Sequence, residues 1–185
     1  MKRYPNLVPV QIRITGRSGY VSAEEEYKDV LTITDHSIEY ECTPYEPWKM
    51  NPNQKWSFTT NSIAFGKLFE LVADAVIEVF HRNPECPGTD MPETGFMISF
   101  SNGKSVHKSY LVGSDEFRDC FDLVKKMIPG CELMPGVLKT SEDYDDWRLY
   151  HDIVDTYCRE EIDYSEAEVP YAILRNQVIR GNFYI

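Results

Sequence analysis

Val8, Val10, Ile12 and Ile14 alternate with Pro9, Gln11 and Arg13, the period of two that a strand shows when one face is buried. Pro9 donates no ladder hydrogen bond, so the pattern predicts a strand at a sheet edge. Gly16-Arg17-Ser18-Gly19 turns into a polar loop carrying Glu24, Glu25 and Glu26. Val30-Leu31-Thr32-Ile33-Thr34 and Ser37-Ile38-Glu39-Tyr40-Glu41-Cys42 then flank Asp35-His36 and read as a hairpin. Residues 43–54 hold Pro44, Pro47 and Pro52 and read as a loop that is long for a compact domain, with Tyr45 and Trp48 to pin it down. Lys55 to Thr60 reads as a further strand, with Trp56 placed in the core.

The period then changes. Asn61 or Ser62 is the predicted N-cap of a helix in which Phe65, Leu68, Phe69, Val72, Ala75, Val76, Val79 and Phe80 recur at three and four, an apolar stripe down one face. His81 to Thr94 is a Pro-bearing loop containing Cys86. Phe96 to Phe100, Asn102-Gly103 and Val106 to Leu111 form a second hairpin signal, with Asn-Gly suited to a type I′ turn. Ser114 is placed to cap a second helix, with Asp115 and Glu116 in its first turn and Phe117, Cys120, Phe121, Val124 and Ile128 as its stripe, ended by Pro129-Gly130. A third helix is expected from Thr140 or Ser141, with Trp147, Tyr150, Ile153, Val154, Tyr157 and Cys158 at helical spacing. The closing run, Tyr171 to Ile185, is too apolar for a loose tail and is expected to pack back.

Strands followed by a helix occur twice, over residues 30–81 and 94–129, without residue-by-residue similarity. The layout predicts an α+β two-layer fold: an antiparallel sheet of about five or six strands with two or three helices on one face. Residues 1–139 read as the core domain and 140–185 as an acidic helix and C-terminal segment packing on it, one domain in all.

Charge changes this picture at one place. Between Ser141 and Glu168 there are eleven Asp or Glu against two Arg, which is −9 of the chain's −11. Such a balance disfavours direct nucleic-acid binding, which needs clustered Lys and Arg to release counterions. No apolar run approaches the roughly 20 residues of a membrane span, and Met1 to Pro5 lacks a hydrophobic signal core. Five cysteines, Cys42, Cys86, Cys120, Cys131 and Cys158, form no C-x-x-C pair. A soluble protein of the reducing cytoplasm is expected.

Catalytic signatures fail on their own requirements. Val112-Gly113-Ser114-Asp115-Glu116-Phe117 resembles the signature of diguanylate cyclases, which wants two glycines at a hairpin turn; here the letters open a helix and capping accounts for them. His151-Asp152 with Asp155 resembles the metal-binding dyad of HD-type phosphohydrolases, an all-helical fold that needs further histidines from other helices. The remaining His36, His81 and His107 fall in turns, loops or strands, so a polar helix face is the preferred reading and no cofactor is expected. Zinc sites need closely spaced ligand pairs, and His81 with Cys86 is not one. Cys120 and Cys158 lie on apolar stripes, leaving Cys86 as the thiol to test for reactivity. Ser18 between Gly16 and Gly19 matches neither a nucleophile elbow nor a phosphate loop.

What remains is the acidic segment, where carboxylates alternate with aromatic anchors. The expected function is a non-enzymatic interaction protein that meets a basic protein surface through Glu142, Asp143, Asp145, Asp146, Trp147, Tyr150, Asp152, Asp155, Glu160 and Glu161. A sharper version is an inhibitor that mimics nucleic acid, as some phage anti-defence and toxin-immunity proteins do. The competing readings are a divalent-metal-dependent hydrolase or metal binder using carboxylates of residues 142–163, and a scaffold or oligomeric subunit.

Overall fold

A computed structural model describes residues 7–19, 26–45, 53–86, 88, 90–130, 132 and 134–143. The expected helix beyond Asp143, the closing apolar run, Trp48, Cys131 and Cys158 lie outside them. Six strands, β1 (Pro9–Arg17), β2 (Tyr27–Ile33), β3 (Ser37–Pro44), β4 (Gln54–Thr59), β5 (Glu93–Phe100) and β6 (Ser105–Tyr110), form one open antiparallel sheet in the order β4-β3-β2-β1-β5-β6. Helices α1 (Ile63–Val79) and α2 (Arg118–Lys125) pack on one face. This is the two-layer α+β arrangement that the alternation of periods predicts.

Cross-strand registers line the covered face in three rows. Phe58, Ile38, Ile33, Ile12 and Ile98 form the first, and Trp56, Tyr40, Leu31, Ile14 and Phe96 the second. Gln54, Cys42, Asp29, Gly16 and Thr94 form the third. Helix α1 meets the first row where Phe65 packs against Phe58 with the rings tilted by 57° and their centroids 6.1 Å apart. Helix α2 and the 3-10 turn before it (Ser114–Phe117) meet the second, Phe117 and Phe121 closing on Phe96 at 5.0 and 5.8 Å. Such edge and offset contacts add to the area these rings bury. The third row, polar where the others are apolar, is crossed by the strap from Met134 to Thr140, which contains a 3-10 turn at Gly136–Leu138.

Helix α1 begins where its cap dictates: Ser62 Oγ accepts from the Phe65 N–H, 3.4 Å, satisfying one of the four donors a helix start leaves open. Of the stripe read from the spacing, Phe65, Phe69, Val72, Val76 and Val79 are buried and Leu68, Ala75 and Phe80 partly so, with Ala73 buried in addition.

Three expectations are corrected. Strand β1 is central rather than an edge, paired with β2 on one side and β5 on the other. Pro9 is tolerated because it is the strand's first residue, beside a bulge between Pro9 and Gln11 where no ladder donor is required. The β5–β6 hairpin is not a type I′ turn. Gly103 alone has a positive φ, 79°, its N–H donates to Phe100 O at 2.9 Å, and Phe100 N–H donates to Lys104 O at 2.8 Å. That is a type I turn closed by a left-handed glycine, so Asn102 stays at negative φ and its Oδ1 instead accepts from Lys104 N–H. Ser114 does not cap α2; its hydroxyl donates to Val137 O at 2.9 Å and ties the strap to the start of the 3-10 turn.

Candidate functional site

Two polar constellations stand out, and both involve the strap. The first is its exit, where the acidic segment begins. Thr140 N–H and Oγ1 both donate to Asp143 Oδ2, at 2.7 and 3.0 Å, the reciprocal half of a capping box with Asp in the third helical position. The backbone is helical over residues 141–143, the position at which the third helix is expected to begin. Lys125 of α2 donates to the same Asp143 Oδ2 at 2.6 Å, both side chains being largely shielded, 17% and 12% exposed. Glu142 forms an ion pair with Arg118. Arg118 also holds Asp115 Oδ1 at 2.7 Å, which in turn accepts from Ser141 N–H and Oγ at 3.2 and 2.9 Å. Against the upward push of partial burial, the hydrogen bonds from Arg118 and Ser141 hold the Asp115 carboxyl below its ordinary value.

The acidic segment is therefore fastened to α2 by its own first carboxylates. Asp143 turns inward to the cap and Lys125, and Glu142 is matched by Arg118, so neither is a free member of an outward anionic face. Asp145, Asp146, Trp147, Tyr150, His151, Asp152, Asp155, Glu160 and Glu161 lie outside the described residues.

The second constellation lies beneath the strap. Asp29 stands in phase with Leu31 and Ile33 on the covered face of β2 and is fully buried. Its Oδ2 accepts from Val137 N–H at 2.9 Å and from the Tyr40 hydroxyl at 3.4 Å. Tyr40 Oη also accepts from Gly136 N–H at 3.5 Å, so β2 and β3 each contribute one group that grips the strap. Among the described residues, Asp29 Oδ1 has no hydrogen-bond partner. Space here is tight: a Cβ on Gly16 would lie 2.3 Å from Asp29 Oδ1 and 2.6 Å from Val137 Cβ. Burial pushes the Asp29 carboxyl up from 3.8 to about 6, against the Val137 hydrogen bond, the charge of Lys139 and the Tyr40 hydrogen bond. Burial likewise raises the Tyr40 phenol well above its ordinary value and the Cys42 thiol to about 11.

A carboxyl, a phenol and a thiol side by side suggest acid–base or nucleophilic chemistry, but the packing opposes it. Asp29 meets no solvent, and a raised thiol is the protonated, unreactive form. Cys120, likewise buried on α2, is pushed to about 12. Cys86 is the exposed thiol among the described residues, and its Sγ donates to Gly88 O at 2.8 Å. No group of three or more His, Cys, Asp or Glu able to hold a metal ion gathers among the described residues, and no described helix is long and apolar enough to cross a membrane.

Sequence reading passed over Asp29, although a signal was present. In Tyr27-Lys28-Asp29-Val30-Leu31-Thr32-Ile33 the aspartate falls on the same parity as two core residues, a place that strands seldom give to Asp. No protein-family model, curated protein or solved structure matches the chain.

Proposed function

We propose that this is a non-enzymatic interaction protein whose acidic, aromatic-bearing segment docks on a basic protein surface. One observation carries the reading. The eleven carboxylates of residues 141–168 face two arginines in the same span, while the rest of the chain holds 17 Lys and Arg against 19 Asp and Glu. That remainder has no cationic surplus with which to neutralise the segment. Several of its cations are already matched by carboxylates of that same remainder, Arg82 with Asp119, Lys55 with Glu41 and Arg17 with Glu93.

The docking set narrows with the geometry at the strap. Glu142 and Asp143 act as the anchor, and the recognition role passes to Asp145, Asp146, Asp152, Asp155, Glu160 and Glu161, with Trp147 and Tyr150 as apolar contacts. Aromatic side chains give contact area at low entropy cost and carboxylates give register and rate, a combination suited to a lysine- and arginine-rich surface. Inhibition by nucleic-acid mimicry is the narrower form of the same proposal.

The test compares the protein with a variant carrying Asp145→Lys, Asp146→Lys, Asp152→Lys and Asp155→Lys in capture from lysate at low and high salt. The native protein is expected to retain basic proteins at low salt, to release them as ionic strength rises, and to lose them in the variant. Capture that is indifferent both to salt and to charge reversal would remove the electrostatic account. A melting-point screen with Mg²⁺, Mn²⁺, Ca²⁺ and Zn²⁺ separates the metal-dependent alternative, since an ion bound only by the native state raises the melting point.

A further inference from the structure

Asp29 does two things for the strap and lacks one thing itself. Its Oδ2 accepts the Val137 N–H and, through the Tyr40 hydroxyl, is linked to the Gly136 N–H, while its Oδ1 is buried with no donor among the described residues. Groups face it from every described element packed against it. Tyr40 and Cys42 come from β3, Lys139 from the strap, and Gly16 from β1, which brings backbone and no titratable group. The carboxyl has two ways to exist there. Neutral, it carries its proton on Oδ1 and still offers Oδ2 as a carbonyl acceptor. Ionised, it leaves a charged oxygen dry and undonated, which is costly unless the cover moves away.

We infer that Asp29 is a proton-operated clasp: protonated, it holds the Met134–Thr140 strap down on the third row of the sheet, and ionised it lets that strap lift more readily, loosening the anchor of the acidic segment that follows. The geometry supplies the mechanism, because the Val137 backbone of the strap lies over Asp29, the carboxyl meets no solvent with the strap closed, and Gly16 packs so near that a methyl group there would lie 2.3 Å from Oδ1.

The sign follows from linkage. Closed, the carboxyl titrates near 6; with the strap lifted it meets water and returns toward 3.8. The closed form therefore binds the proton more tightly. Closure is fully favoured below the ordinary carboxylate value, is lost as pH rises toward 6, and changes little above that. A gap of this size makes opening about a hundredfold more frequent above the window than below it, and on the order of twentyfold more frequent at pH 7.5 than at pH 4.5.

Amide hydrogen exchange at Gly136 and Val137 tests this, corrected for the intrinsic pH dependence of exchange and compared with the ladder amides of Ile12 and Leu31 as reporters of global opening. In the native protein the strap amides are expected to open more as pH rises, by roughly the factor above, while in Asp29→Asn, which keeps an acceptor for Val137 and cannot ionise, their profile is flat. A carboxyl ¹³C titration of Asp29 in the native protein is the companion measurement and needs no variant. Its midpoint is expected near 6 and coincident with the transition in the strap amides. Parallel exchange profiles in the two proteins, or an Asp29 resonance that titrates in the ordinary carboxylate range, would overturn the clasp.

Discussion

Gly16 and Asp143 show how single residues at the strap fix its place. A methyl group on Gly16 would collide with both Asp29 Oδ1 and the Val137 side chain, neither of which is the far end of a long flexible chain. Gly16→Ala is therefore expected to lower the unfolding free energy by about 2 kcal/mol, read from the urea midpoint, as overpacking of a closed interior does. Asp143→Ala removes the acceptor of Thr140 and the 2.6 Å partner of Lys125 together, and a loss of about 2 kcal/mol is expected. Glu142→Ala, one residue away but with a side chain 74% exposed, is expected to cost less than about 0.5 kcal/mol in the same assay. Equal losses for the two would contradict the inward role given to Asp143. From sequence the pair looked alike, two acids at the head of a charged run. What separates them is which side of the first helical turn meets Lys125, and that depends on the placement of α2.

Elements with a long, unbroken period were legible and short-range details were not. The stripe of α1 and the alternation of β3 and β5 each rest on several residues agreeing, so burial follows spacing, whereas in β1 the buried face expected for Val8, Val10, Ile12 and Ile14 holds only at Ile12 and Ile14, Val8 and Val10 being exposed. Errors fell where one backbone group decides. Pro9 suggested an edge because it lacks a donor, but a bulge at the strand's start removes the need for one. Asn102-Gly103 suggested a two-residue loop, whereas the left-handed requirement falls on Gly103 alone. Ser114 had the chemistry of a cap and found a carbonyl of the strap instead. Ser62, by contrast, caps as expected, and Ser62→Ala should destabilise the protein by about 1 kcal/mol, with the effect confined to α1 in amide exchange. A substitution that left α1 protection unchanged would show that tertiary packing alone sets this helix start.

For the whole molecule, the fold class was legible because strand and helix periods alternate along the chain, while strand order was not. β2, β3 and β4 pair in sequence, which any hairpin reading anticipates. The place of β1 depends on a partner some eighty residues downstream, and no local pattern announces that choice. The charge imbalance was equally plain, but not that its first two carboxylates would be retained by α2. The β1–β5 ladder, which pairs Pro9 through Arg17 with Phe100 through Glu93, carries one further consequence. It is a seam between two consecutive stretches of chain, β1 to α1 and β5 onward, joined covalently only between Arg82 and Pro92. Two polypeptides divided in that connection should recognise each other without a peptide bond, since Ile12 and Ile14 on one side and Phe96 and Ile98 on the other are apolar surfaces that neither piece can bury by itself. Co-expressed halves are expected to purify as a one-to-one complex, and the centre of this sheet would then serve as a split site for reporting when two other proteins come together.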